Sequence, residues 1–228
     1  MHVAVLVSGG KDSALALHYV LEQGYDVKYL VTMHPQSQDS WMFHSLNVHL
    51  ANLFAEAAGI PLEKAETAGI KEAELKDLKD LLGKLDIEGV VSGAISSQYQ
   101  KKRIDRISRE LNLESIAPLW HASPKQIMKE LIHLSFDVII VGTYAYGFNQ
   151  SWLGRKIDST TLDDLNELSK EHKISLVGEG GEYETLVLDA PFFGKRIQLI
   201  QTEKAWEDDS GHLLVKYAKL TEKNKVVR

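Results

Sequence analysis

The stretch Ser8-Gly9-Gly10-Lys11-Asp12-Ser13 constrains this chain most, because it joins an apolar run to a helical pattern through two consecutive glycines. Ahead of it, Val3-Ala4-Val5-Leu6-Val7 is short, continuously apolar and rich in β-branched residues, as a strand buried on both faces should be. After it, residues 14–21 hold strong helix formers with an apolar stripe at Leu17, Val20 and Leu21. A strand, a tight turn and a helix make an anion site. Gly9 and Gly10 let the backbone turn sharply with no Cβ between it and a ligand. The unpaired N–H groups and positive dipole end of the helix then face that ligand. Lys11 adds positive charge, Ser8 and Ser13 add hydroxyls, and the Asp12 carboxylate is a candidate ligand for Mg²⁺.

The spacing is not that of the Gly-x-x-x-x-Gly-Lys-Ser/Thr loop. The block instead resembles the Ser-Gly-Gly-x-Asp-Ser loop of the PP-loop ATP-pyrophosphatase superfamily. That resemblance implies ATP, held by its pyrophosphate end and attacked at the α-phosphate. The bland alternative is a turn that merely needs two glycines and a serine.

Residues 27–33 read as a second strand, reached from the first helix through the Gly24 turn. Strand and helix alternate from there, which predicts a parallel sheet with crossover helices and ligands gathered at the strand C-termini. An adenine is then expected at the end of the second strand, beside Thr32 and Met33. The aromatic stretch Asp39-Ser40-Trp41-Met42-Phe43-His44 serves either as a plug on the sheet edge or as part of a site. A helix over 46–58, a strand over 62–67 and an amphipathic helix over 71–85 follow. Residues 90–95 form a fourth strand, leading into a basic helix striped by Ile104, Ile107 and Leu111. Lys102, Arg106 and Arg109 share a face that reads as solvated. Gly93, Tyr99, Gln100 and Arg103 lie close to the strand end and are expected to touch nucleotide or substrate.

Ser123-Pro124 opens a new helix, and residues 137–143 are another buried strand. Behind that strand, Tyr144, Tyr146, Phe148 and Trp152 are spaced by polar residues, as in a pocket wall. A helix spans 161–170. Residues 178–189 then pack three glycines and three glutamates ahead of an apolar strand, and residues 195–206 and 213–220 close the chain as a hairpin. This change of pattern places a boundary near residue 121. Residues 1–120 form an ATP-binding domain and 121–228 a smaller α/β substrate-binding domain.

Composition excludes several chemistries. With no cysteine there is no disulfide, cysteine-bound zinc, iron–sulfur cluster, persulfide carrier or cysteine-dependent glutaminase. The net charge of −6 argues against a general nucleic-acid surface. No apolar run reaches a membrane span and no signal peptide precedes the first strand, so no membrane partner and a cytoplasmic location are expected.

Four blocks resemble the diphthine–ammonia ligase (diphthamide synthase) family in its short archaeal-type form: residues 8–13; Gly-Ala-Ile-x-Ser-x-Tyr-Gln-x-x-Arg at 93–103; Ser-Trp-Leu-Gly-Arg at 151–155; and Gly-Glu-Tyr-Glu-Thr-Leu-Val-Leu-Asp at 181–189. Asp-Ser-x-Met-Phe-His at 39–44 agrees more weakly. The resemblance implies a Rossmann-like sheet of the adenine nucleotide α-hydrolase type. It implies that diphthine on elongation factor 2 is adenylated at its carboxylate and amidated by free ammonia, and it leaves room for a homodimer. Lys11, Asp12 and Arg103 become candidates for the α-phosphate. Trp152, Glu182, Tyr183 and Glu184 become candidates for the trimethylammonium group of diphthine. Two other readings stay open: a PP-loop tRNA-modifying ligase, and an ATP-binding sensor without catalysis.

Overall fold

The computed structural model describes residues 1–35, 46–67 and 71–223, so the aromatic stretch at 39–44 lies outside the described residues. The chain divides into two compact units, Met1–Ala55 with Ile60–His121, and Glu56–Gly59 with Ala122–Arg228. Among the described residues no helix is long and apolar enough to cross a membrane.

The first unit alternates strand and helix as the sequence predicts. It runs β1 (His2–Leu6), α1 (Lys11–Glu22), β2 (Asp26–Pro35), a 3-10 turn (Val48–Leu50), α2 (Ala51–Ala58), β3 (Leu62–Thr67), α3 (Lys71–Leu82), β4 (Gly89–Val91), α4 (Gln98–Glu110) and β5 (Glu114–Ile116). The strands lie in the order β3-β2-β1-β4-β5, and every neighbouring pair is parallel. Val3, Ala4 and Val5 of β1 are fully buried, as the centre of a sheet covered on both faces requires. One face carries a core in which Val31, Met33 and Val90 meet Leu75, Leu78 and Leu82 of α3 and Ile104 and Ile107 of α4. Each fully buried leucine there contributes roughly 1.5–3 kcal/mol. α1 is more enclosed than its stripe suggested. Ser13 to His18 are all buried, and the alanines at 14 and 16 let neighbouring elements come close on every side.

Two boundaries differ from expectation for local reasons. β4 stops at Val91: Ser92 N still donates to the Ile116 carbonyl at 2.9 Å, and Gly93 then packs against the start of α1. The helix expected over 46–58 begins as a 3-10 turn after Asn47, whose φ of 60° no α-helix accommodates. The edge strand β5 had no signal in the sequence.

The second unit contains α5 (Pro124–His133), β6 (Asp137–Thr143), a 3-10 turn (Gln150–Trp152), α6 (Ser159–His172), β7 (Tyr183–Asp189), β8 (Lys195–Glu207) and β9 (Ser210–Glu222). Its sheet has the order β7-β6-β9-β8 with antiparallel pairs. β9 pairs with β6 only at Gly142 and Thr143. Further back along β6 the pairing is made by residues 154–157: Gly154 N donates to the Ile140 carbonyl at 2.8 Å, Ile140 N to Arg155 at 2.9 Å and Ile157 N to Val138 at 2.8 Å. The Ser-Trp-Leu-Gly-Arg block is therefore a strap along β6. Closing the sheet, the β8–β9 hairpin turns over Asp208 and Asp209 alone, with Glu207 opposite Ser210 and Asp208 at φ 50°.

α6 starts two residues before the expected Thr161. Asp158 is its N-cap and accepts from Thr161 N at 2.8 Å. That hydrogen bond holds the Asp158 carboxyl below the ordinary aspartate value. Asp158→Ala is expected to lower stability at pH 7 by about 1 kcal/mol. A depressed folded-state pKa gives stability that is full above the unfolded aspartate value and is lost as pH falls through the folded one. Urea melts of both proteins should differ at pH 7 and converge toward pH 3 and below; a pH-independent gap would show that the charge of the cap is irrelevant.

Candidate functional site

In the first sheet the chain runs from β1 outward through β2 to β3, then returns to the other side of β1 for β4 and β5. The reversal between β1 and β4 leaves a crevice at the strand C-termini, where ligands of such sheets bind. A cleft is present there, lined by Leu6, Val7, Ser8, Asp12 and Ser13, by Val31, Thr32 and Met33, by Val48, by Ser92, Gly93 and Ala94, and by Gln100 and Ile104. It thus brings together the phosphate-loop candidates, the adenine candidates and the strand-end candidates.

The loop's conformation follows from its residues. Gly9 takes φ 82°, which favours glycine, and Gly10 caps α1 with no side-chain hydrogen bond at that position. Ser13 Oγ donates to the Gly10 carbonyl at 3.0 Å and accepts from Ser8 N at 3.3 Å, while Gly10 N donates to Ser8 Oγ at 3.4 Å. The two serines therefore tie the turn together across its mouth. Lys11 is not the mobile, solvent-facing cation the sequence suggested. Its side chain is 3% exposed and its Nζ lies 2.9 Å from Asp12 Oδ2, so it holds the carboxylate from within.

Gly93 lines the cleft and also packs closely against the first turn of α1. A Cβ there would lie 2.8 Å from Asp12 C and Ser13 N and 3.0 Å from the Asp12 carbonyl. Glycine at 93 is what lets the end of β4 rest on the first turn of α1. Ser92, which sequence reasoning passed over, is 6% exposed, and its Oγ is buried with no hydrogen-bond partner among the described residues. A lone buried hydroxyl lining a cleft needs a partner there. The available signal was its position at the strand end, next to the glycine.

Gln100 lines the cleft near the start of α4, where Ser97 is the N-cap and accepts from Gln100 N at 3.4 Å. Tyr99 and Arg103 sit beside it rather than along its wall. The Arg103 guanidinium lies 3.4 Å from the Tyr99 ring centroid and donates to the Tyr99 carbonyl at 3.3 Å. Its Nε is buried with no hydrogen-bond partner among the described residues.

The aromatic and acidic candidates lie in the second unit, and two of them are not where the sequence put them. Trp152 is 5% exposed and packs edge-on to Phe148 at 5.1 Å, with the Arg155 guanidinium 4.6 Å from its centroid. Arg155 is fixed in turn by Asp164. Tyr183 is 3% exposed beside Phe148, and its hydroxyl donates to the Leu176 carbonyl at 2.6 Å. Neither ring offers a face to a substrate, because both fill the core beneath the strap and the glycine loop.

The glycines of that loop serve its own folding. Gly178 and Gly181 take φ of 69° and 84°, and a Cβ at Gly178 would lie 2.7 Å from the Tyr183 carbonyl. A Cβ at Gly180 would lie 2.8 Å from Glu182 Oε1, which accepts from Ser175 N at 2.8 Å. Glu182 and Glu184 themselves are half-buried. Tyr144, which the sequence placed with the other rings in a pocket wall, joins this group through Glu184, to which its phenol hydrogen-bonds. Partial burial and that carboxylate push the phenol well above the ordinary tyrosine value.

A family model described as "Diphthamide synthase N-terminal domain" matches residues 1–115, and one described as "Diphthamide synthase C-terminal domain" matches residues 123–221. A curated protein of Rattus norvegicus named diphthine--ammonia ligase is 32% identical over 97% of this chain and 91% of its own length. Proteins of the same name from Homo sapiens and Schizosaccharomyces pombe are also 32% identical; the first aligns over 89% of this chain and 84% of itself, the second over 99% of this chain and 40% of itself. A solved structure, that of a predicted subunit of tRNA methyltransferase from Methanocaldococcus jannaschii, aligns over 83% of this chain and 97% of that one, with a TM-score of 0.47 and 19% identity.

Proposed function

The chain belongs to the diphthamide synthase family, and from that premise we propose that it is a cytoplasmic ATP-dependent ligase converting the carboxylate of diphthine on elongation factor 2 to an amide. The observation that carries this reading is the single cleft at the sheet's reversal point, where the turn at 8–13, the end of β2 and the end of β4 meet. In it, Ser8, Gly9, Gly10, Lys11 and Ser13 receive the phosphates of ATP. Thr32 and Met33 flank the adenine, and Ser92 and Gln100 complete the wall.

A carboxylate is a poor acyl donor because its charge is delocalised. Attack of its oxygen on the α-phosphorus forms an acyl–O–P bond and breaks the bridge to the β-phosphorus, releasing pyrophosphate. The nitrogen of ammonia then bonds to the acyl carbon and loses a proton, while AMP departs with the C–O electron pair. Negative charge grows on the α-phosphate oxygens in the first step. N–H groups at the start of α1 and the Arg103 guanidinium are the donors suited to it.

Mg²⁺, when bound, supplies further neutralisation of the phosphate oxygens. Among the described residues no three His, Asp or Glu side chains converge as a metal site. Asp12 lines the cleft, and one carboxylate with phosphate oxygens is how Mg²⁺ is commonly held beside a nucleotide. The acidic loop belongs to the protein substrate, since negative charge beside a triphosphate is repulsive. Glu182 and Glu184 are its groups for the cationic side chain, and Trp152 and Tyr183 support the scaffold that carries them.

The test is pyrophosphate release from ATP and ammonium chloride with different acceptors. Release is expected with diphthine-bearing elongation factor 2 and absent without it. Release that depends on tRNA instead would replace this reading by a tRNA-modifying ligase, and ATP binding with no turnover on either acceptor would replace it by a nucleotide sensor.

A further inference from the structure

We propose that Tyr144 is the aromatic recognition element for the quaternary ammonium group of the protein substrate, an assignment that rests on the proposed amidation of diphthine. The residue follows β6 directly and its ring is held at several points. Its backbone N donates to the Glu182 carbonyl at 2.9 Å. Its ring lies across Gly142, where a Cβ would be 2.6 Å from the phenol oxygen and 2.9 Å from Cζ. Gly142 stands opposite Glu184 in the β6–β7 register, and the phenol hydrogen-bonds to the Glu184 side chain.

A ring so fixed is ordinarily buried. Tyr144 is 46% exposed. Fixing an aromatic side chain forfeits rotamer freedom, and half the usual gain from burial is forgone here. The outcome is a ring preorganised for something outside the fold. The phenol's proton is directed at Glu184, so the partly exposed, electron-rich ring has a carboxylate at its hydroxyl. That combination attracts cations. A quaternary ammonium has no N–H to donate and is bound through aromatic faces, whereas ammonium prefers convergent acceptors.

The other aromatics of the region are occupied. Trp152 carries Arg155 on its face, and Phe148 and Tyr183 are in the core. Tyr146 is 70% exposed and packs edge-on to His172 at 5.2 Å.

The assignment is tested on the full chain with tetramethylammonium chloride as probe, followed through the tyrosine ring protons, with ammonium chloride and sodium chloride at equal ionic strength as the other arms. Saturable binding is expected in the parent protein, retained within about threefold in Tyr144→Phe, and weakened at least about tenfold in Tyr144→Leu. Glu184→Gln, which keeps the ring and removes the charge, should weaken it about threefold or more and stands in if Tyr144→Leu does not fold. In amidation, Tyr144→Leu should raise KM for diphthine-bearing elongation factor 2 at least about tenfold, with kcat and ATP affinity within about twofold. Equal tetramethylammonium binding by the parent, Tyr144→Leu and Glu184→Gln proteins would overturn the assignment, as would displacement by ammonium but not sodium, or a parallel loss of ATP affinity. If the parent protein binds tetramethylammonium with this pattern yet amidates nothing, the proposed reaction falls and the quaternary-ammonium site stands.

Discussion

Gly93→Val is expected to lower the proposed ATP-dependent adenylation by at least about a hundredfold, the effect of displacing reacting groups by about 1 Å. The atoms that a Cβ at this position meets are Asp12 C, Ser13 N and the Asp12 carbonyl, at 2.8–3.0 Å, and all are backbone. No flexible side chain is there to swing aside, so the first turn of α1 must move and carry Asp12 and Ser13 with it. Even Gly93→Ala should show most of the effect, because the first carbon makes the clash. The reading is pyrophosphate exchange into ATP, with a thermal melt beside it: exchange should collapse while the protein still unfolds cooperatively. Near-parental exchange in Gly93→Ala would mean that the loop and the strand end move independently.

Asp12 is expected to show the next largest effect. Asp12→Asn keeps the side chain's size and removes the charge that Lys11 faces at 2.9 Å and that Mg²⁺ would use. Loss of one such electrostatic contribution to a phosphoryl-type transition state is worth about a hundredfold to a thousandfold in turnover. Lys11→Ala differs in kind. Because the lysine side chain is buried, its removal strips packing and charge from the base of the loop and should destabilise the first unit as well as slow the reaction. Comparing turnover with melting temperature in the two variants separates these effects. A large stability loss in Asp12→Asn with little change in turnover would reverse the roles given to the pair.

How far the sequence was legible depends on what each stretch packs against. The run at 137–143 is continuously apolar and becomes β6 with the expected ends, and 62–67 becomes β3 likewise. β6 is fixed by a neighbour on each side, and β3, at the sheet edge, by its full-length pairing with β2. Glu114–Ile116 gave no sign of being a strand, since three residues carry no periodicity and this edge exists only because β4 offers it hydrogen bonds. The cleft at 8–13 was legible because a glycine turn between strand and helix lies at a strand C-terminus. Gly93 lines the cleft as expected of its place, while its packing against α1 was not legible, since a glycine's need for closeness does not say what comes close.

The aromatic residues were misjudged for a related reason. Phe148 and Trp152 are spaced by polar residues, which mimics a pocket wall, yet that stretch is a strap whose polar residues face out while its rings close the core. Tyr144 and Tyr146 are the exposed rings of the stretch, and the link from Tyr144 to Glu184 crosses from one strand to its neighbour. No local pattern reveals such a pairing. Of the three glycines at 178–181, Gly178 makes room for Tyr183 and Gly180 for Glu182, contacts that the sequence did not reveal.

The central claim is that the substrate carboxylate is activated at the α-phosphorus of ATP. It is tested most directly by labelling that carboxylate of diphthine-bearing elongation factor 2 with oxygen-18, running the reaction to completion with ATP and ammonium chloride, and weighing the products. The account predicts that the AMP formed carries a carboxylate oxygen, that pyrophosphate carries none, and that the product side chain is the amide. Label in inorganic phosphate, with ADP formed in place of AMP, would contradict it.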